Sequence, residues 1–177
     1  MSRSPPRKAR PPLDDDRLRE LALRYVGRFA TTRARLLTYL ARKVRERGWS
    51  SEEPPAFEVL ADRLVELGYI NDASYAVMKG AAMARRGLGP RRIRAGLQAD
   101  GVGETERAEA DEQALAAKWD AANALARRKR IGPYALVRAD PATYQRQIAA
   151  FVRAGHDFST ARRWVEAAPG QMPEASE

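Results

Sequence analysis

The feature that most constrains this chain is a helix ending that recurs. In VRERGW, LVELGY, LQADGV and FVRAGH, a glycine closes an amphipathic run four positions after an apolar residue. The residue after each glycine can reach back to that apolar residue. The sets are Val44, Gly48 and Trp49; Leu64, Gly68 and Tyr69; Leu97, Gly101 and Val102; and Phe151, Gly155 and the less apolar His156. Glycine tolerates the left-handed backbone that ends a helix, and the flanking pair supplies the hydrophobic contact of a Schellman cap. Helices that end near these glycines predict an all-α protein. Their irregular spacing predicts degenerate duplication of small helical units rather than a strict solenoid.

The 3-4 periodicity between the glycines fills in the helices. Leu18, Leu21, Ala22, Tyr25, Val26 and Phe29 share one face, with Asp14, Asp15 and Asp16 at the positive end of the helix dipole. A second helix starts at Thr32, a good N-cap, and carries Leu37, Leu40, Ala41 and Val44 inward; a third carries Phe57, Leu60, Ala61 and Leu64. Together they predict a first three-helix module over 14–70, with SSEEPP as an exposed loop. A second module over 71–109 starts with Asn71 or Asp72 as cap, has Tyr75, Met78 and Ala82 inward, continues through Ile93 and Leu97, and ends in a short helix near Glu104. A third over 110–168 opens with a long Ala-rich helix bearing Leu115, Trp119, Ala122 and Ala126. It continues with Asp140 as N-cap, Pro141 at N1 and Tyr144, Ile148 and Phe151 inward, and ends with a helix capped by Ser159 that buries Ala161, Trp164 and Val165. The basic, Pro-rich 1–13 and the acidic 169–177 are expected to be disordered tails.

Charge narrows the function. Lys and Arg number 32 against 23 Asp and Glu, a net +9, which suits a polyanion or an acidic protein surface. The chain has no cysteine, so disulfides and thiolate metal sites are excluded, and a reducing cytoplasm fits. No run reaches the roughly 18 apolar residues of a membrane span. The stretch RRGLGPRRIR resembles a phosphate-gripping loop, but it lacks the P-loop spacing and lies between two helices with no strand before it. It predicts a helix-to-helix turn in which Gly87 or Gly89 ends one helix and Pro90 opens the next.

Arginines at the start of a helix oppose its dipole, which hints that Arg91, Arg92 and Arg94 serve something other than helix stability, with an ordinary solvated face as the alternative. With Arg85 and Arg86 they form one candidate contact surface for phosphate or an acidic protein. Arg127, Arg128, Lys129 and Arg130 form the second, at a helix end where cations are also favoured for structural reasons. The tail cations Arg3, Arg7, Lys8 and Arg10 would add non-specific attraction. No nucleophile, base or acid pair suggests catalysis. His156, the single histidine, follows a capping glycine and reads as structural. Asp14 to Asp16 diverge around a helix start and read as dipole partners rather than metal ligands. Trp49, Trp119 and Trp164 read as core or cap residues rather than base-stacking ones. No metal, cofactor or enzymatic activity is expected.

The segments TTRARLLTYLARKVRERGW, FEVLADRLVELGYINDASYA, RRGLGPRRIRAGLQADGV and RQIAAFVRAGHDFSTARRWV, in this order, resemble the RecX family of bacterial recombination regulators over residues 18–166. The centre is the specific part: Leu-Gly-Tyr, an acidic cap, an aromatic-Ala pair, then Gly, paired basic residues, Ile and Leu before a second Gly. The sequence departs from the family pattern at Ile70-Asn71-Asp72, at Tyr75, in the SSEEPP loop and at His156-Asp157. The resemblance implies about three tandem three-helix units in an elongated, curved array. It also implies a cytoplasmic, monomeric regulator of DNA repair, recombination and the SOS response. Such a protein would lie in the groove of the RecA filament and inhibit its ATPase, strand-exchange and coprotease activities. Some members bind single- or double-stranded DNA directly. A DNA-binding helical protein without a recombinase partner is the alternative that the sequence leaves open.

Overall fold

The computed structural model describes residues 11–175, among which there are nine α-helices, one short 3-10 turn and no strand. The expected tail cations at 3, 7, 8 and 10 lie outside the described residues. The chain divides into two compact units, 1–71 and 72–177.

The first unit holds α1 (Asp15–Val26), α2 (Arg33–Arg47) and α3 (Phe57–Glu66). Asp14 caps α1 by accepting the N–H of Arg17 at 2.9 Å, and Asp15 and Asp16 occupy its first turn. Thr32 caps α2 by accepting the N–H of Arg35 at 3.2 Å. The core is Leu18, Ala22, Leu36, Leu40, Ala61, Leu64 and Ile70. Leu40 is buried as expected, but its partner on the inward row of α2 is Leu36 rather than Leu37 or Ala41. Leu37 and Val44 pack at its rim and Ala41 is exposed. Leu36 and Leu37 are adjacent, and periodicity alone cannot say which of two neighbouring rows faces inward.

Phe29 also differs from expectation. Helix α1 stops at Val26, and Phe29 sits beyond it, 55% exposed. At the other end of the unit, Leu13 belongs to the core and not to a tail. It is fully buried, its N–H donates to Gly48 O at 3.0 Å, and its carbonyl accepts from Ser50 N–H at 2.9 Å. That pairing changes the role of Gly48. Its φ of 85° is one that glycine allows, but its ψ of 169° lies outside the left-handed helical region, so α2 ends beside the backbone bridge between Leu13 and Trp49 and not in a Schellman cap.

The second unit holds α4 (Asp72–Arg85), α5 (Pro90–Ala99), α6 (Glu104–Ala116), α7 (Lys118–Lys129), α8 (Pro141–Arg153) and α9 (Phe158–Glu166), with the 3-10 turn at Gly132–Tyr134. Two core clusters fill it. Tyr75, Ala76, Ile93, Leu97, Val102 and Ala110 belong to one; Leu125, Ile131, Ile148, Phe151 and Trp164 belong to the other; Leu88 packs against both. Small residues make much of the first contact, and this overturns two expectations. The inner face of α4 is Tyr75, Ala76, Gly80 and Ala84, which leaves Met78 59% exposed. Helix α6 is a full 13-residue helix that continues across position 109.

The long Ala-rich helix expected from 111 to 130 is two helices that meet at Ala117 (φ −85°, ψ 6°). Ala110 and Ala114 form the buried face of α6, so Leu115, about 100° further round, is 54% exposed. Ala122 and Ala126 are fully buried as expected, and the Trp119 ring lies 5.1 Å from that of Trp164. Asp140 caps α8 with Pro141 at its start. Asp157, not Ser159, caps α9: it accepts the Thr160 N–H at 2.7 Å, and the Ser159 hydroxyl donates to it at 2.6 Å. The C-terminal segment is also tied down up to Gly170, whose N–H donates to Pro133 O at 2.9 Å.

Three of the four expected Schellman caps form. Tyr69, Val102 and His156 donate their N–H groups to the carbonyls of Leu64, Leu97 and Phe151, while Gly68, Gly101 and Gly155 donate to Val65, Gln98 and Val152. Gly87 adds another, with Leu88 N–H bonded to Met83 O at 3.1 Å.

Candidate functional site

The RRGLGPRRIR stretch is the helix-to-helix turn that its spacing predicts, and its backbone is fully engaged with the protein itself. Gly89 N–H donates to Ala154 O at 2.8 Å, and Arg91 N–H donates to Gly155 O at 3.2 Å. The amides that would cradle a phosphate therefore hold the α8–α9 turn instead. His156 completes the joint. Its Nε2 lies 3.1 Å from Gly87 O, which can only accept, so the proton sits on Nε2. Burial lowers the pKa of this histidine, against the opposing effect of the Gly87 bond, and so favours the neutral ring.

The two turns meet with no room between them. A Cβ on Gly89 would lie 2.6 Å from the carbonyl carbon of Gly155, and one on Gly87 would lie 2.8 Å from Leu125 N of α7. The α4–α5 turn is thus seated on both α7 and the α8–α9 turn.

The candidate cations ride on this joint. Arg85, Arg86, Arg91, Arg92, Arg94, Arg127, Arg128, Lys129 and Arg130 are all exposed. The structure brings the two sequence clusters together, because the Arg128 guanidinium donates to the Arg86 carbonyl. Arg94 is drawn aside: its Nε is 3.1 Å from Asp111, which it shares with the buried Arg107 at 3.0 Å. Among the described residues, the others make no ion pair. Arg127, Arg128 and Lys129 fall in the last turn of α7, where the dipole favours cations, and Arg130 follows in the left-handed conformation at φ 53°. Arg91 and Arg92 sit at the opposite kind of helix end, where the dipole disfavours them.

One cation escaped the sequence reading. Arg153 is exposed in the last turn of α8, directly before the Ala154 and Gly155 carbonyls that receive the α4–α5 turn. It stands alone in the sequence, so no cluster announced it.

An open groove of about 560 Å³ runs beside this surface between α4, α6 and α7, and its polar lining is Arg85, Gln113 and Asp120. Among the described residues, no group of three or more His, Cys, Asp or Glu is placed to hold a metal, and no helix is long and apolar enough to cross a membrane. What the surface can do chemically is attract anions: it presents guanidinium groups on a fixed backbone.

No family model matches the chain. Regulatory protein RecX of Myxococcus xanthus (strain DK1622) is 34% identical to it over 175 residues, which covers 93% of this chain and 90% of that protein. Two solved structures share the fold. A crystal structure of regulatory protein RecX superposes with a TM-score of 0.64 at 21% identity and covers 84% of this chain and 70% of that one. RecX from Lactobacillus salivarius gives 0.58 at 18% identity, over 83% and 91%.

Proposed function

The chain belongs to the RecX family of regulatory proteins, and from that premise we propose that it binds the RecA recombinase filament. There it modulates, mostly by inhibition, ATP hydrolysis, strand exchange and coprotease activity in DNA repair and recombination. The mechanism is occupancy. A body that presents cations on a fixed backbone can bridge filament subunits or block extension without bond chemistry. The observation that carries this reading is the union of the two arginine clusters on one joint, with Arg85, Arg86, Arg91, Arg92, Arg127 and Lys129 exposed and making no ion pair among the described residues.

We further propose three repeated units drawn along helix bounds, α1–α3, α4–α6 and α7–α9, in a cytoplasmic monomer. The same exposed guanidinium groups favour one second reading, a DNA-binding helical protein that needs no recombinase. For it, log K for bare DNA falls with log salt by about 0.7 to 0.9 per phosphate contact.

The deciding experiment is RecA ATP hydrolysis on single-stranded DNA titrated with this protein, beside its binding to the same DNA without recombinase. Half-inhibition well below the concentration that coats bare DNA is the expected result. Inhibition only at saturation of bare DNA would replace the filament reading with competition for DNA. Replacing Arg91 and Arg92 with Ala removes two exposed contacts of roughly 0.7 kcal/mol each, so half-inhibition should move up about tenfold. Helicity by circular dichroism should be unchanged.

A further inference from the structure

We propose that the first unit carries a stacking site for single-stranded nucleic acid, centred on Phe29. The proposal goes beyond the filament reading and does not rest on it, since it concerns a different unit and a different contact chemistry. Three rings form a continuous tier at the end of α1. Tyr25 and Tyr39 stack at 4.1 Å between centroids with their planes 12° apart, and Phe29 leans on Tyr25 at 5.6 Å. Tyr25 and Tyr39 border the core, but Phe29 leaves more than half of its surface in solvent. Its N–H donates to Tyr25 O at 3.1 Å, so the turn after α1 holds it in place.

The tier is ringed by cations. The Arg28 guanidinium is 5.9 Å from the Phe29 centroid; Arg42 and Lys43 are 5.7 and 5.8 Å from that of Tyr39. Arg42 and Lys43 share the Glu46 carboxylate at 3.7 and 2.6 Å. Among the described residues, Arg28 makes no ion pair. Three cations against one carboxylate leave the patch positive.

One exposed aromatic ring, Phe29, combined with positive charge selects the occupant. An apolar peptide would use the ring but not the guanidinium, and an acidic peptide the reverse. A single strand offers base faces and phosphates in alternation, and base–aromatic stacking is indifferent to sequence. A duplex keeps its base faces buried in the stack and cannot use Phe29.

The test measures fluorescence anisotropy with a labelled oligothymidylate of about 15 nucleotides and with an abasic oligomer of equal length and charge. Both are run on the full chain and on the Arg91→Ala/Arg92→Ala background. Phe29→Ala should weaken thymidylate binding at least fivefold, roughly, and leave abasic binding unchanged, on both backgrounds. Phe29→Tyr, which keeps a ring, should bind like the parent, and Arg28→Gln should reduce the salt slope by about 0.7.

Thymidylate binding unaltered by Phe29→Ala would overturn the site, and so would equal losses on the two oligomers. Phe29 lies outside the helices and the core, and a thermal melt of each variant checks that the fold is kept. Recombinase inhibition can fail while this discrimination stands, and the discrimination can fail while inhibition stands, so each reading is judged separately.

Discussion

Gly68 in the first unit and Gly155 in the second end their helices with the same hydrogen-bond pattern, yet they do different work. Gly68 has φ 75° and nothing within 4 Å of where a Cβ would be. Gly155 has φ 93°, and its missing Cβ is the space in which the Arg92 backbone sits. One glycine ends a helix; the other ends a helix and receives a second chain segment. The units differ likewise in core material. Leucines fill the first, whereas Ala76, Ala84, Ala110 and Ala114 bring backbones together in the second. A cap becomes a joint when small residues let another turn approach it.

The largest expected effect tests that difference directly. Gly155→Ala adds left-handed strain of about 1–3 kcal/mol to overpacking of about 1–3 kcal/mol. A loss near 4 kcal/mol should appear as a lower urea midpoint. Gly68→Ala carries the strain alone and should cost about 1 kcal/mol. Equal losses at the two sites would dissolve the distinction between cap and joint.

Next in size is the α9 cap that stands beside the joint. Asp157→Ala should cost about 1 kcal/mol, and Ser159→Ala less than about 0.5 kcal/mol, read from thermal melts. Burial alone would raise the Asp157 carboxyl, but hydrogen bonds from Ser159 and from the Thr160 N–H and hydroxyl outweigh it and lower its pKa from 3.8 to about 2. Its contribution to stability is therefore present above pH 3.8 and lost as pH falls through about 2. Asp157→Ala should abolish that acid-dependent component of the melt.

The smallest effect is that of a single imidazole. The pKa of His156 in the folded protein lies below 6.5, so the unfolded chain takes up the proton first. Its contribution is complete above pH 6.5 and declines as pH falls towards the folded value. Protection factors of the Gly89 and Arg91 amides should drop between pH 7.5 and 5.5. Those of Leu13 and Ser50 should stay flat, because the first unit contains no histidine. A parallel drop in both units would detach the effect from the joint.

Local chemistry was legible in the sequence. Thr32, Asp140, Gly68, Gly101 and Gly155 all act where their side chains, or the lack of one, dictate. What escaped was set by partners distant along the chain. Gly48 looks like a cap until Leu13 pairs beside it, and the tie from His156 to Gly87 spans 69 positions. Met78 and Leu115 misled because hydropathy ranks them above the alanines and glycine that form the real contact faces. The break at Ala117 leaves no trace in a run of strong helix formers. The candidate cations were found as clusters, but their convergence came only from the fold; Arg153 gave no local signal, and although Tyr25 and Phe29 were read on one helix face, the Tyr39 stack and the exposure of Phe29 came from the fold.

The bonds beneath the arginine surface of the second unit have a practical consequence. Gly89 to Ala154, Arg91 to Gly155 and His156 to Gly87 are neutral pairs. Added electrolyte weakens exposed charges at a distance but leaves such contacts nearly untouched. The guanidinium array should thus keep its spacing from dilute buffer to concentrated brine while its pull on a partner fades. For this protein, ionic strength can act as a dial that turns attraction without redrawing the surface.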